Sequence, residues 1–327
     1  AEKLNADRVA AKIDWNISTK HKLSLSYRYN NAERNNVSRS AVQTINFYNN
    51  GYVMPNKTNS GSLELNSRFS NRTNNKLLLT FTNVVDDRGP LGGAFPRVSI
   101  TDGSGRMVFG TEEFSTGNQL KQKNIALFDV FKIYKGKHTL SLGTDNEFSD
   151  SYNIFIRQNY GSYVFPNLQT FLDGGNATTY NRSYSLVDPG VTGDESVNAA
   201  AKFKALRLGF FVNDEIKVTD NFTLNLGLRA DNTIYLDDPR TDKFFNDTAA
   251  AAISQHYDLR GARSGQMTDP KWSINPRIGF TYKIEDEGIT IRGGLGTFTG
   301  RVPLVWPGGV YNQNGVSIAG LNRSNVE

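Results

Sequence analysis

From Asp7 to Ile17 the side chains alternate, with Val9, Ala11, Ile13 and Trp15 on one face and Arg8, Lys12, Asp14 and Asn16 on the other. A period of two is the signature of a strand with one apolar side. After Ser18-Thr19-Lys20-His21 the pattern resumes with Leu23, Leu25, Tyr27 and Tyr29 against Lys22, Ser24, Ser26 and Arg28, so the two runs read as a hairpin. A polar stretch to about Ser60 follows. The unit then recurs four times. Leu63, Leu65 and Phe69 turn at residues 71–75 into Leu77, Leu79 and Phe81. Ile125, Leu127, Val130 and Phe131 alternate less cleanly and turn at Lys135-Gly136-Lys137 into Leu140, Leu142 and Phe148. Leu206, Leu208, Phe210 and Val212 turn at Thr219-Asp220-Asn221 into Phe222, Leu224, Leu226 and Leu228. Ile278, Phe280, Tyr282 and Ile284 turn at residues 285–288 into Ile289, Ile291 and Leu295.

The connections fall into two sizes, about four or five residues within a hairpin and roughly thirty or more between most hairpins. Long structureless connections are uncommon in compact soluble domains, whereas outer-membrane barrels alternate short periplasmic turns with long extracellular loops. The pattern therefore predicts an all-β, transmembrane antiparallel barrel, present in part as about ten strands in five hairpins, with residues 1–327 belonging to one barrel domain. Residues 87–118 and 151–198 are expected to be loops. Trp15, Tyr134 and Phe222 near short turns, and Tyr29, Phe148, Tyr235, Trp272 and Phe298 near long ones, suit the aromatic girdles of such a wall, although aromatics are good strand residues in any sheet. The chain opens at Ala1 on a strand-like pattern without an initiator Met and ends at Glu327 in a Gly- and Asn-rich stretch rather than on a strand, so further sequence is expected on both sides.

Composition agrees with this once the barrel is considered. Hydrophobic residues are 38% of the chain and the mean hydropathy is -0.48. No apolar run reaches the roughly 18 residues of a spanning helix, but strands that alternate lipid-facing and lumen-facing side chains average their hydropathy away. The 14 Tyr and 20 Phe beside abundant Asn, Ser, Thr and Gly favour strands and turns. No Cys is present, which excludes disulfides and thiolate metal sites. The net charge of +5 is spread along the chain and no nucleic-acid motif occurs, so nucleic acid is not an expected partner.

Two stretches carry a family resemblance. Phe211-Val212-Asn213-Asp214-Glu215-Ile216-Lys217, followed by Leu224-Asn225-Leu226-Gly227-Leu228-Arg229-Ala230-Asp231, resembles the wall of TonB-dependent outer-membrane receptors, in particular the Oar-like branch with a carboxypeptidase-regulatory-like domain. Ile274-Asn275-Pro276-Arg277-Ile278-Gly279-Phe280 and residues 292–303 are similar to later strands of that family. The resemblance is good from about Phe211 onward and elsewhere rests on the hairpin rhythm. It implies a barrel of about 22 strands closed by an internal plug, a bacterial outer-membrane location, and contact with outer-membrane lipid and lipopolysaccharide. It also implies partnership with the protein's own plug and the TonB complex, and transport of an unidentified large or scarce substrate. The plug and the N-terminal domain are expected to lie outside these residues.

The catalytic inventory is thin. His21 and His138 sit at turns, His256 lies in a loop, and no His-Glu-x-x-His or Gly-x-Ser-x-Gly is present, so no catalytic residue, cofactor or metal is assigned. Gly294-Leu295-Gly296 with Gly300 lacks the spacing of a dinucleotide loop and reads as glycine relieving crowding in a strand. The acidic pairs Asp86-Asp87 and Asp237-Asp238, with Asp242, contain the ligand type Ca²⁺ takes but not the spacing of an EF-hand. Tyr48, Tyr52, Tyr160, Tyr163, Phe165 and Trp306 lie in outward loops and are candidate substrate contacts, with packing among loops as the alternative. Arg207, Arg229 and Asp231 on the polar strand face are expected to line the lumen. Rival functions on a similar pattern are a passive porin, a surface adhesin, an outer-membrane enzyme, and a soluble extracellular β protein whose apolar faces point inward.

Overall fold

The computed structural model describes residues 2–326 other than 189, 192 and 194–196. Its strands, numbered in chain order, sort into an antiparallel sheet of ten and a smaller mixed sheet of six. The ten-stranded sheet is built from five hairpins: β1 (Lys3–Asn16) with β2 (His21–Asn36), β4 (Tyr52–Ser70) with β5 (Thr73–Pro90), β8 (Asn118–Lys135) with β9 (His138–Phe155), β12 (Ala201–Lys217) with β13 (Phe222–Tyr235), and β14 (Ser273–Ile284) with β15 (Ile289–Gly296). Neighbours in sequence are neighbours in the sheet, and β1 and β15 form its two edges. The sheet is one wall, not a closed ring. At its short-turn end the β8–β9 turn places Gly136 at φ 58, a left-handed angle that glycine adopts without strain.

One face of this sheet is apolar and exposed. Ile13 is 64% exposed and Phe210 48%, in line with Leu25, Leu79, Phe81, Ile125, Leu226 and Ile278. The opposite face carries Glu64 and Lys76, joined at 3.0 Å, and the charged residues described below. A soluble protein of this pattern must turn the apolar face inward; here it faces out, as lipid requires.

The strands are longer than the alternation predicts. A tilted strand needs about 9–11 residues to cross a membrane, yet β4 has 19 and β5, β8 and β9 have 18 each. Because the opposite ends close in short turns, the surplus lies on the long-loop side. There both faces meet polar surroundings, so stretches such as Asn56-Lys57-Thr58-Asn59-Ser60 lose the period of two while continuing the ladder. The irregular first strand of the third hairpin has another cause: Phe128 points to the inner face and stacks on Phe211, ring centroids 6.0 Å apart.

Nor are the long connections structureless. Strands β3 (Thr44–Asn46), β6 (Arg97–Asp102), β7 (Gly105–Phe109), β10 (Ser162–Phe165), β11 (Ala177–Ser185) and β16 (Ile318–Val326) form the second sheet, in the order β16-β11-β10-β6-β7-β3. The Gly- and Asn-rich end of the chain, read above as lacking a strand, thus contributes β16. Pairs β6·β10 and β3·β7, each joining two different loops, are parallel. Short helices α1 (Leu168–Leu172), α2 (Ala250–Ser254) and α3 (Val305–Asn312) complete the loop layer. No helix among the described residues is long and apolar enough to cross a membrane.

Candidate functional site: the inner face and mouth of the wall

On the inner face four adjacent strands bring opposite charges together. The register pairs Arg207 with Glu147 and with Thr233, and Arg229 with Asn275. Arg229 donates through Nε to both carboxylate oxygens of Asp231 at 2.9 and 3.0 Å and through Nη2 to Asp145 at 3.0 Å. Arg207 reaches the same Asp145 at 3.3 Å. Asn275 donates through Nδ2 to Asp231 at 3.1 Å and to Thr299 Oγ1 at 2.8 Å. Two guanidinium forks shared between two carboxylates leave the cluster locally neutral and well supplied with charge-assisted hydrogen bonds. Asp231 is 7% exposed and Asn275 4%, so these groups are paired where an unpaired charge would be costly.

Glycine makes room for the cluster. A Cβ at Gly209 would fall on the Arg229 guanidinium and 2.9 Å from the Asp145 carbonyl oxygen. One strand lower, Gly143 leaves space for the Phe211 ring. Gly293 does the same for Phe280 on the outer face, its register partner.

Above the cluster the wall opens into a cavity of about 1490 Å³, bounded by the upper strands, residues 259–273 and residues 299–313. Arg207 and Asp231 line it, with Glu147, Arg88, Arg263 and Arg301. Arg301 is ion-paired with Glu147, and Arg88 with Glu112 at 3.0 Å. On the upper wall, Phe203 stacks on Tyr311 of α3, centroids 4.5 Å apart and planes 8° apart. The Tyr311 hydroxyl donates to the Asp237 carbonyl oxygen at 2.6 Å, and burial raises its pKa well above the usual tyrosine range. It therefore stays a neutral donor and pins α3 across the cavity.

The three residues expected on the polar face, Arg207, Arg229 and Asp231, thus meet in one cluster. Their shared partner Asp145, and Glu147 beside it, were not singled out from the sequence. The signal was present: alternation from Leu140 and Leu142 to Phe148 places Asp145 and Glu147 on the other face.

None of the six loop aromatics lines the cavity, and of the six Tyr163 and Phe165 stack on each other, ring centroids 6.4 Å apart. Tyr48 is 59% exposed and Trp306, on α3, 71%. The Arg88 guanidinium covers the Tyr52 ring at 3.7 Å. At Gly193 a Cβ would collide with the Tyr160 hydroxyl. Tyr163 packs on Tyr180 at 4.6 Å and Phe165 on Phe171 at 5.2 Å.

The acidic pairs serve as hydrogen-bond acceptors. Asp86 accepts from Asn56 at 2.5 Å, Asp237 from the Lys204 N–H at 2.7 Å, and Asp242 from the Phe245 N–H at 3.0 Å. No group of three or more metal-ligating side chains is present among the described residues. His138 lies 2.7 Å from Asp214 and His21 2.9 Å from Ser67, both at the short-turn end.

An antiparallel wall with lipid-facing apolar side chains, an ion-paired inner face and a structured loop layer at one end defines a transmembrane β-barrel wall. Residues 1–323 match the family model of the outer membrane beta barrel domain, and the chain belongs to that family, located in the bacterial outer membrane. Among solved structures it is similar to the outer membrane transporter YddB from Escherichia coli, with a TM-score of 0.59 and 14% identity over 99% of this chain and 35% of that one. The copper transporter OprC is similar too, with a TM-score of 0.51 and 12% identity over 91% of this chain and 38% of that one. The likeness is one of fold, and the chain spans between 35% and 38% of the length of these two proteins. No curated protein matches the sequence.

Proposed function

We propose that this chain forms part of the barrel of a TonB-dependent outer-membrane transporter, one that takes a large or scarce substrate through a lumen gated by the protein's own plug. The observation that carries the reading is the continuity between the loop-side cavity and the ion-paired inner face, through Arg207, Asp231 and Glu147. A wall of this kind offers charged and hydrogen-bonding groups to a plug that must be held and then released, and polar walls to a hydrated cargo. The motifs at residues 211–231 support the Oar-like branch of the family. Substrate capture belongs, on this reading, to the loop layer, with Trp306 and Tyr48 among its exposed aromatics.

The test compares cells with and without the protein for solutes depleted from the medium, each with the TonB complex intact or removed. Depletion that needs both the protein and the complex is the expected result. Depletion that needs the protein and persists without the complex would establish the passive porin instead, and adhesion to a surface without any depletion would establish the adhesin.

A further inference from the structure

We propose that Lys121, Lys123, Lys202 and Lys204 form a docking site on the outside of the wall for the phosphate groups of lipopolysaccharide in the outer leaflet. This rests on the placement of the wall in the membrane and is independent of what passes through it.

The site is set by register. Lys121 on β8 and Lys202 on β12 are both partners of Tyr152 on β9, between them, and Lys123 and Lys204 are both partners of Asp150. Adjacent strands lie about 4.8 Å apart and alternate residues about 6.7 Å apart along a strand. The four lysine Cα atoms therefore mark a rectangle of about 7 by 10 Å. All four are exposed, while their neighbours Ala201, Phe203 and Ala205 are buried on the opposite face. The lysines share the outer face with Ile125 and Leu127, 46% and 37% exposed, and stand immediately on the long-loop side of them. That is the level at which the apolar band ends and lipid headgroups begin. Beyond Tyr152 the wall runs into the buried cluster of Ile154, Ile156, Ala199 and Ala200, which forms a ledge above the site.

No ion pair involves any of the four lysines among the described residues, and Asp150 is the one carboxylate that the register sets between them. Two of the ammonium groups lean instead on one ring, Lys121 Nζ at 5.1 Å and Lys202 Nζ at 5.5 Å from the Tyr152 centroid. Cations gathered at this spacing repel one another in water, whereas a multiply charged phosphate group satisfies them together. Basic clusters at a membrane surface recognise anionic headgroups in this way. The outer leaflet of the outer membrane supplies such phosphates on lipopolysaccharide, with acyl chains positioned to lie along Ile125, Leu127, Phe81 and Phe210.

The experiment uses the full-length protein extracted from outer membranes in mild detergent and titrated with purified lipopolysaccharide, intact or enzymatically dephosphorylated. Wild-type protein is expected to bind the intact form at least tenfold more tightly than the dephosphorylated form, with affinity falling steeply as salt rises. Changing all four lysines to Gln is expected to abolish the tenfold preference, and changing them to Arg to keep it. Equal binding of both lipid forms by the wild type overturns the proposal, and so does an undiminished preference in the Gln variant. If the Gln variant does not fold, the two lipid forms on wild-type protein decide the matter.

Discussion

Arg229 is the residue on which the inner-face cluster turns, since it alone contacts both Asp145 and Asp231. Replacing it with Ala leaves Asp145 only Arg207 and Asp231 only Asn275 of the cluster's donors, and the side chains of Asp145 and Arg207 are exposed enough that water offsets part of the loss. A destabilisation of about 2–4 kcal/mol is expected, below the full cost of breaking a wholly buried pair. The midpoint of urea unfolding in detergent measures it. Arg229→Lys is expected to recover less than half, because a single ammonium cannot serve both carboxylates with a planar fork. Gly209→Ala acts on the same cluster from the other side: its Cβ meets the guanidinium, and displacing Arg229 should cost about 1–3 kcal/mol. If Gly209→Ala were as stable as wild type, the close approach of the two strands would not be what holds Arg229 in place.

The elements of the wall were legible in the sequence where lipid borders them and illegible where it does not. Val9, Ile13 and Trp15 alternate with charged residues because one face of β1 meets hydrocarbon and the other a polar interior. The upper half of β4 carries no such contrast, since above the membrane neither side is selected for being apolar. The loop strands escaped for a related reason: β3 has three residues and β10 four, too short for any period to register, and their pairing joins loops far apart in the chain. Arg207, Arg229 and Asp231 could be placed by parity, but their convergence on Asp145 depends on strand register, which a single sequence does not state. At this scale α3 offers a pH test. Its seat needs a protonated Tyr311, whose pKa is raised in the folded chain. The contribution is complete below the unfolded tyrosine pKa of about 10 and is lost as pH rises toward the higher folded value. Proteolysis within residues 303–313 should therefore quicken above about pH 10, and Tyr311→Phe, which keeps the stack on Phe203 but lacks the hydroxyl, should show faster cleavage at neutral pH with a flatter alkaline rise. A wild-type cleavage rate that ignored pH would rule out the hydroxyl as the pin.

At the scale of the whole molecule the wall has two free margins, the outer edges of β1 and β15. Unsatisfied backbone groups are not tolerated in hydrocarbon, so residues 1–327 produced alone are expected not to insert as a sealed barrel. Planar-bilayer recording should find no discrete, long-lived conductance step; a uniform pore from this length of chain would mean that the ten strands can close on one another. The second sheet has a consequence for how the wall is assembled. Its parallel pairs join β3 to β7 and β6 to β10, segments contributed by three different connections. None of these pairs can form until the hairpins beneath them stand side by side in the correct register, because each loop carries only half of a pairing. Formation of non-local contacts of this kind is slow. The loop layer therefore acts as a proofreading clasp in time as well as a roof in space: a hairpin slipped along its neighbour leaves the parallel pair between their loops unmade, and the clasp fastens over strands already correctly aligned.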